Sequence, residues 1–221
     1  MYSKYTGIIL KKHPLGEADE LLTIFTREQG KIRAKTISSR KPTSRLGGHL
    51  ESLNEIEFET AHSGKSPGSA SLPILISVRA STINSYLRQN LRKFAYALVG
   101  VETLYRMTPD REENAVAYEE LRKFLTSLGS LGDEELIVRR FQLNLLSCCG
   151  FGFPLTVMPT FTDKPLVSEQ SWARVKQQIS SLQSGQNPGR LLTDTEKVID
   201  RFIDYVLERE IKSSKFLTEV S

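Results

Sequence analysis

The residues of this sequence whose types and spacing could do chemistry are concentrated in one basic stretch, residues 31–45. It holds six cations and no acid: Lys31, Arg33, Lys35, Arg40, Lys41 and Arg45. The first half alternates in polarity, which is typical of a β-strand with one face in a core and a cationic face in water. The part from Ser38 to Gly48 is rich in Ser, Gly and Pro and predicts a loop. Such a strand and loop suit a polyanion with regularly spaced phosphates, with a solvated charged face as the alternative.

Positive charge is confined to the N-terminal part of the chain. Residues 1–50 carry ten Lys and Arg against four Asp and Glu, whereas the remainder carries twenty against twenty-two. The net charge of +4 therefore conceals a local excess, as a binding surface requires.

Patterns that would support catalysis or metal binding are weak. Cys148 and Cys149 are adjacent and end an apolar helical pattern, and the three His residues are scattered, so no metal-ligand spacing exists. The acids of residues 51–59 lie on or near one predicted strand, and metal-dependent phosphoryl chemistry would need carboxylates that converge beside the cationic strand. We therefore predict no catalytic residue, no metal and no cofactor.

A second pair of cations, Arg139 and Arg140, lies in a predicted helix. Arg140 falls near the apolar stripe that contains Leu136, Ile137 and Phe141. An Arg in this position can pair with an internal acid, or it can bind the carboxylate of a peptide. Both interpretations remain open from the residues alone.

The surrounding sequence predicts an α+β chain in which strands precede helices. Short apolar or alternating runs predict five strands, at residues 5–12, 20–26, 31–36, 53–60 and 72–79, and thus a small closed barrel. From Ser81 a helical period predicts one long helix ending before Pro109, followed by helices near 115–128, 133–148, 168–182 and 193–206. We predict two domains, residues 1–80 and 81–221. No run approaches eighteen apolar residues, so we expect a cytoplasmic protein that does not span a membrane.

Several of these stretches resemble the RecO family of bacterial recombination mediators. The N-terminal matches are Gly7-Ile8-Ile9-Leu10, Gly16-Glu17-Ala18-Asp19, Thr26-Arg27-Glu28-Gln29-Gly30-Lys31-Ile32-Arg33 and Ser44-Arg45-Leu46-Gly47-Gly48. A second match runs from Arg139-Arg140-Phe141-Gln142-Leu143 to Gly150-Phe151-Gly152-Phe153-Pro154, and a weaker one covers Ile211-Lys212-Ser213-Ser214-Lys215-Phe216.

The resemblance implies an OB-fold barrel followed by a helical domain. It also implies binding of single- and double-stranded DNA, strand annealing, and cooperation with RecR in loading RecA onto DNA coated by single-stranded DNA-binding protein. The basic strand and loop would bind DNA, and Arg139 and Arg140 would contact the acidic, Phe-ended tail of the single-stranded DNA-binding protein. Many members carry a four-cysteine zinc module that is absent here, so no zinc is expected.

These observations favour a non-enzymatic DNA-binding mediator of recombinational repair, located in the bacterial cytoplasm on the nucleoid. The alternative is a nucleic-acid enzyme, such as a nuclease, on an OB-fold scaffold. A protein-interaction scaffold without DNA affinity is a third possibility.

Overall fold

The N-terminal part of the chain is a β-barrel. We analysed a computed structural model that describes residues 2–61, 72–130, 132–156 and 166–207, so the segment at 211–216 lies outside the described residues. Each strand end lies within three residues of its predicted position, and the strands are β1 (Tyr2–Leu15), β2 (Asp19–Thr26), β3 (Gly30–Thr36), β4 (Glu55–Ala61) and β5 (Ile74–Thr82).

The strands close in the order β1-β2-β3-β5-β4, which is the order of an OB-fold. The long β1 pairs antiparallel with both β2 and β4, and an irregularity between Ile9 and Lys11 lets it bend from one partner to the other. Gly7 permits this close approach, because a Cβ there would lie 2.5 Å from the side chain of Ile24. β3 and β5 pair in parallel through Lys35 and Ile74, which closes the barrel. The predicted barrel is therefore confirmed.

The barrel core is built from the inward face of each strand. Because side chains alternate along a strand, residues two apart share a face, and a slip of one residue would expose the whole apolar set. The buried residues include Ile9, Leu22, Ile24, Ile32, Ala34, Leu50, Ile56, Phe58 and Leu75.

The described residues form two compact units, and neither is one continuous stretch of chain. The barrel unit comprises Met1–Arg88 and also Thr108–Tyr118; the helical unit comprises Gln89–Met107 and the chain from Glu119 onward. Within the barrel unit, the ring of Tyr118 stacks on Phe25 at 6.4 Å, and its hydroxyl donates to a carboxylate oxygen of Glu55 at 2.7 Å. The predicted domains, residues 1–80 and 81–221, stay a prediction, because compact units in the folded chain do not show which segments fold independently.

The helices are α1 (Ser85–Gln89), α2 (Leu91–Met107), α3 (Ala115–Gly129), α4 (Glu134–Cys148), α5 (Glu169–Gln183) and α6 (Thr193–Leu207). The single long helix predicted from Ser81 is wrong, since the chain breaks at Asn90. The Asn90 side chain accepts a hydrogen bond from the main-chain N–H of Lys93 at 3.0 Å and so starts α2 as its N-cap.

Side-chain caps also begin three later helices. Asn114, Asp133 and Ser168 accept main-chain N–H groups at the first turns of α3, α4 and α5. Inside the helical unit, the rings of Phe124 and Phe141 stack at 4.3 Å and join α3 to α4. No helix in the described ranges is both long and apolar enough to cross a bilayer.

Candidate functional site

The outward face of β3 presents its three cations in different environments. Arg33 is exposed and makes no side-chain hydrogen bond or ion pair with the described part of the chain. Lys35 is 34% exposed, whereas Lys31 is only 7% exposed. The predicted alternation is confirmed from Ile32 to Thr36, but the prediction that Lys31 faces water is wrong.

Lys31 is buried because residues 108–111 lie over its end of β3. Its ammonium donates to the carbonyl of Thr108 at 2.7 Å and lies 3.3 Å from a carboxylate oxygen of Asp110. In return, the carbonyl of Lys31 accepts the main-chain N–H of Arg111 at 2.9 Å. Lys31 therefore fastens this segment to the edge of β3.

Lys35 lies at the opposite end of β3, beside the turn between β1 and β2. Its ammonium forms an ion pair with Asp19 at 2.9 Å, and the main-chain N–H of Ser38 donates to the same carboxylate at 2.9 Å. The Ser38 hydrogen bond, followed by the contact with Lys35, holds the pKa of Asp19 below its ordinary value of 3.8. These contacts fix the start of the basic loop.

The loop is docked on the same turn through Arg40. Its main-chain N–H donates to the carbonyl of Ala18 at 3.0 Å, and its guanidinium donates to the carbonyls of Gly16 and Glu17, each at 3.3 Å. Lys41 and Arg45 are exposed and make no side-chain hydrogen bond or ion pair with the described residues.

The structure therefore brings Lys35, Arg40 and Lys41 together around the β1–β2 turn. OB-folds bind oligonucleotides on the face of their second and third strands and on the adjoining loops, the β1–β2 loop among them. At this end of the face Arg40 and Lys41 are exposed, whereas the end at Lys31 is covered by residues 108–111. DNA contact stays a prediction for all six cations.

A cleft of about 550 Å³ lies at the covered end of the barrel unit. Two arginines, Arg33 and Arg111, and two acids, Glu28 and Glu113, line it. Its apolar wall is formed by Tyr5, Ile32 and Pro73. Sequence analysis missed Arg111, which lies 78 positions beyond Arg33 in a short charged stretch between two helices. No periodic signal in that stretch indicates a binding residue.

The two adjacent cations of α4 have different roles. Arg139 forms a two-pronged ion pair with Asp200 of α6 and also donates to Gln142. Arg140 donates to the carbonyl of Leu182 at 3.2 Å and to that of Gln186 at 2.9 Å, so it caps the C-terminal end of α5.

A second cleft, of about 340 Å³, lies between α3 and α4 in the helical unit. Arg140 lines it, whereas Arg139 and Leu136 do not; the other lining residues include Lys123, Phe124, Ile137 and Phe141. Sequence analysis missed the α3 residues, because a helical period assigns faces within one helix but does not show which faces meet.

One acid modifies the charge of this second cleft. Burial raises the pKa of Glu120, but hydrogen bonds from Lys123 and Asn144, both at 2.8 Å, outweigh that effect and leave the pKa below its ordinary value. Lys123 is thus paired with an acid, whereas Arg140 donates to main-chain carbonyls. Across the described residues, no group of three or more His, Cys, Asp and Glu side chains is placed to hold a metal ion.

The strand order and the helices that follow define a class, proteins with an OB-fold barrel joined to a helical unit. Sequence models of a single family match both parts: "Recombination protein O N terminal" at residues 1–70 and "Recombination protein O C terminal" at residues 88–157. The chain belongs to the RecO family.

Proteins named DNA repair protein RecO are similar to this chain over two-thirds of its length. The protein of Dehalococcoides mccartyi is 33% identical over 150 residues, which are 67% of this chain and 56% of the relative. The protein of Frankia casuarinae is 32% identical over 156 residues, which are 67% of this chain and 60% of the relative. The chain thus matches less than two-thirds of the length of either relative.

Proposed function

We propose that this chain is a non-enzymatic DNA-binding mediator of recombinational DNA repair. In this role it binds single- and double-stranded DNA, anneals complementary strands and, with RecR, helps to load RecA onto DNA coated by single-stranded DNA-binding protein. Family membership supports the repair role, since both relatives described above are named DNA repair proteins. With DNA as its ligand, the protein would act in the bacterial cytoplasm on the nucleoid.

The observation that carries the proposal is the exposed positive charge on the outward face of β3 and on the basic loop, residues 38–48. Arg33, Lys41 and Arg45 are exposed without an ion-pair partner in the described ranges, and Arg40 is exposed with only carbonyl partners. Such cations can neutralise phosphates and release the counterions that DNA condenses. The contacts are made to the backbone, so the mode suits a mediator that acts on any sequence.

Binding of a labelled single strand at several salt concentrations tests the DNA-binding proposal. The double variant Arg33→Glu/Arg40→Glu is expected to bind weakly and to lower the log–log salt slope by about 1.4, which corresponds to two lost phosphate contacts. Arg174→Glu/Arg201→Glu reverses two exposed cations, on α5 and α6, and is the control for the same general change of net charge. If the double variant and the control behave alike, the DNA path does not cross this face.

We further propose that the cleft between α3 and α4 accepts the C-terminal tail of single-stranded DNA-binding protein. A tail that ends in an apolar side chain and a free carboxylate needs an apolar wall with a cation beside it. Phe124, Ile137 and Phe141 supply the wall, and Arg140 supplies the cation. Arg139 is engaged with Asp200, and in this proposal it supports the helix rather than the peptide.

A further inference from the structure

The cleft of the barrel unit combines two arginines with an apolar wall. Two acids, Glu28 and Glu113, line it as well. The carboxylate of Glu28 is engaged within the barrel, since both of its oxygens accept the main-chain N–H of Thr6 at 3.1 Å, and Glu113 is exposed. Arg33 and Arg111 line one site that also contains parts of Tyr5, Ile32 and Pro73. Guanidinium groups bind phosphate through paired N–H donors, and an apolar or aromatic wall accepts the flat face of a base. The cleft therefore offers both kinds of contact that a single nucleotide requires.

Arg111 is held in this cleft by a strained backbone. Its φ is 61°, a left-handed conformation that is unfavourable for a residue with a Cβ. The conformation is fixed from the N-terminal side, because Lys31 binds Thr108 and Asp110 through its ammonium and Arg111 through its carbonyl. Strain of this kind persists only where the surrounding contacts over-determine it.

Strand β3 is adapted to the close approach of residues 110–112. Gly30 also has a left-handed backbone, and a Cβ at this position would lie 1.8 Å from the carbonyl oxygen of Glu112. Only Gly permits residues 110–112 to approach β3 this closely. Two separate features, the buried Lys31 and the missing side chain at Gly30, thus hold the backbone of Arg111 beside β3, in the cleft that Arg33 also lines.

We propose that this cleft receives one unstacked nucleotide of a DNA single strand. The base would lie against the wall of Tyr5, Ile32 and Pro73, and Arg33 and Arg111 would bind its phosphates. The side-chain oxygen of Gln29 accepts a hydrogen bond from the Tyr5 hydroxyl at 3.2 Å. The side-chain NH₂ of Gln29 then remains able to donate to carbonyl groups on the base. In a duplex the bases are paired and stacked, so the cleft would favour single strands. The inference rests on the proposed DNA-binding function and adds a contact to the base.

The first test compares three probes of equal length with the wild-type chain: a thymine single strand, an abasic strand with the same backbone, and a duplex. Because base stacking on an aromatic surface is worth about 1–3 kcal/mol, the thymine strand is expected to bind at least about fivefold more tightly than the abasic strand. The salt slopes of these two strands should agree, since both present the same phosphates.

Variants then separate the base contact from the phosphate contact. Ser3→Tyr places a ring in the cleft and should remove the advantage of the thymine strand while leaving the abasic strand unaffected; Ser77→Tyr, at an exposed position of β5, is the matched control. Arg111→Asn keeps a residue that tolerates left-handed backbone and loses the charge, so the salt slope should fall by about 0.7 for both strands. Arg111→Lys should retain the slope.

The outcomes distinguish the inference from the proposed function. If wild type binds the thymine and abasic strands equally, with a steep salt dependence, the base-binding cleft is excluded and phosphate binding stands. If it binds no probe at all, both proposals fail. Should Arg111→Asn not fold, as judged by circular dichroism, the probe comparison and the two Tyr variants still decide.

Discussion

Replacing Arg140 by Ala should weaken binding of an acidic tail peptide much more than replacing its neighbour Arg139. The reason lies in how each guanidinium is used. Both oxygens of Asp200 occupy Arg139, whereas Arg140 donates to two carbonyls and keeps further N–H groups for the cleft. The two variants remove the same side chain one position apart, so each serves as a control for the other.

The magnitude follows from the kind of contact. A hydrogen bond to a charged group contributes roughly 1.5–3 kcal/mol, and each 1.4 kcal/mol is about a factor of ten in affinity. The cleft is open to solvent on one side, so the lower half of this range applies. We expect Arg140→Ala to weaken the peptide about tenfold to fortyfold, and Arg139→Ala less than about threefold.

Loss of the α5 cap could mimic loss of binding. Arg140→Ala removes hydrogen bonds to the carbonyls of Leu182 and Gln186, each worth about 1 kcal/mol. Thermal unfolding of each variant measures this effect independently of the peptide. Arg140→Lys keeps the charge but loses the fork, so it should recover part of the affinity even where it does not restore the cap.

Fluorescence anisotropy of a labelled peptide, titrated with each variant, gives the affinities. An otherwise identical peptide with an amidated C-terminus tests the carboxylate, and it should bind wild type about as weakly as the normal peptide binds Arg140→Ala. The reasoning is refuted if Arg139→Ala and Arg140→Ala weaken the peptide equally, or if amidation has no effect. Binding to a bare DNA strand should change in neither variant.

Three further predictions concern the contacts that build the two units. Lys31→Met should destabilise the segment over β3 by about 2 kcal/mol, because the buried carbonyl of Thr108 loses a charged donor. Asp110→Asn should destabilise it by less than about 1 kcal/mol, because Asp110 is 55% exposed. Amide exchange in this segment measures both effects, and equal effects would contradict the view that the Thr108 contact holds the segment. Gly100→Ala should destabilise the helical unit by about 1–3 kcal/mol despite the better helix propensity of Ala, since the new Cβ would lie 2.3 Å from the Phe124 ring, and a rise in melting temperature would disprove this. Asp19 has a folded-state pKa below its unfolded value, so its contribution to stability is present above about pH 4 and is lost as the pH falls through the folded pKa; NMR titration of the carboxyl group should give a midpoint below 3.8, and one above it would be inconsistent.

The strand half of the fold could be predicted because its signal is local. Alternation along β2 and β3 assigns each residue to a face, and the turns at Gly16 and Gly30 separate the strands. The break at Asn90 could not be predicted from the apolar period, which continues through it from Leu87 to Leu91 and Phe94. The cap formed by the Asn90 side chain decides against a continuous helix, and a periodicity argument does not include caps.

The sequence shows which residues of the candidate sites are charged, but it does not show which groups each charged side chain contacts. Lys31 and Asp110 are 79 positions apart, and nothing near Lys31 indicates that a later segment covers it. In the same way, the choice between Arg139 and Arg140 depends on how α4 is rotated against α5 and α6. A rotation of one residue, about 100°, would exchange their roles.

The six cations of the basic stretch divide into groups with different physical tasks. Lys31 and Lys35 are paired with acids, and each fixes a piece of backbone: residues 108–111 at one end of β3 and the basic loop at the other. Arg33, which lies between these two fixed segments, and Lys41 and Arg45, which lie on the basic loop, have no such partner in the described chain and remain available to an external anion. Neutralising a paired lysine should therefore change the shape of the surface, whereas neutralising an unpaired cation should change only its charge. The salt slope of DNA binding reports the second effect directly, since it counts phosphate contacts, and amide exchange at the anchored backbone reports the first.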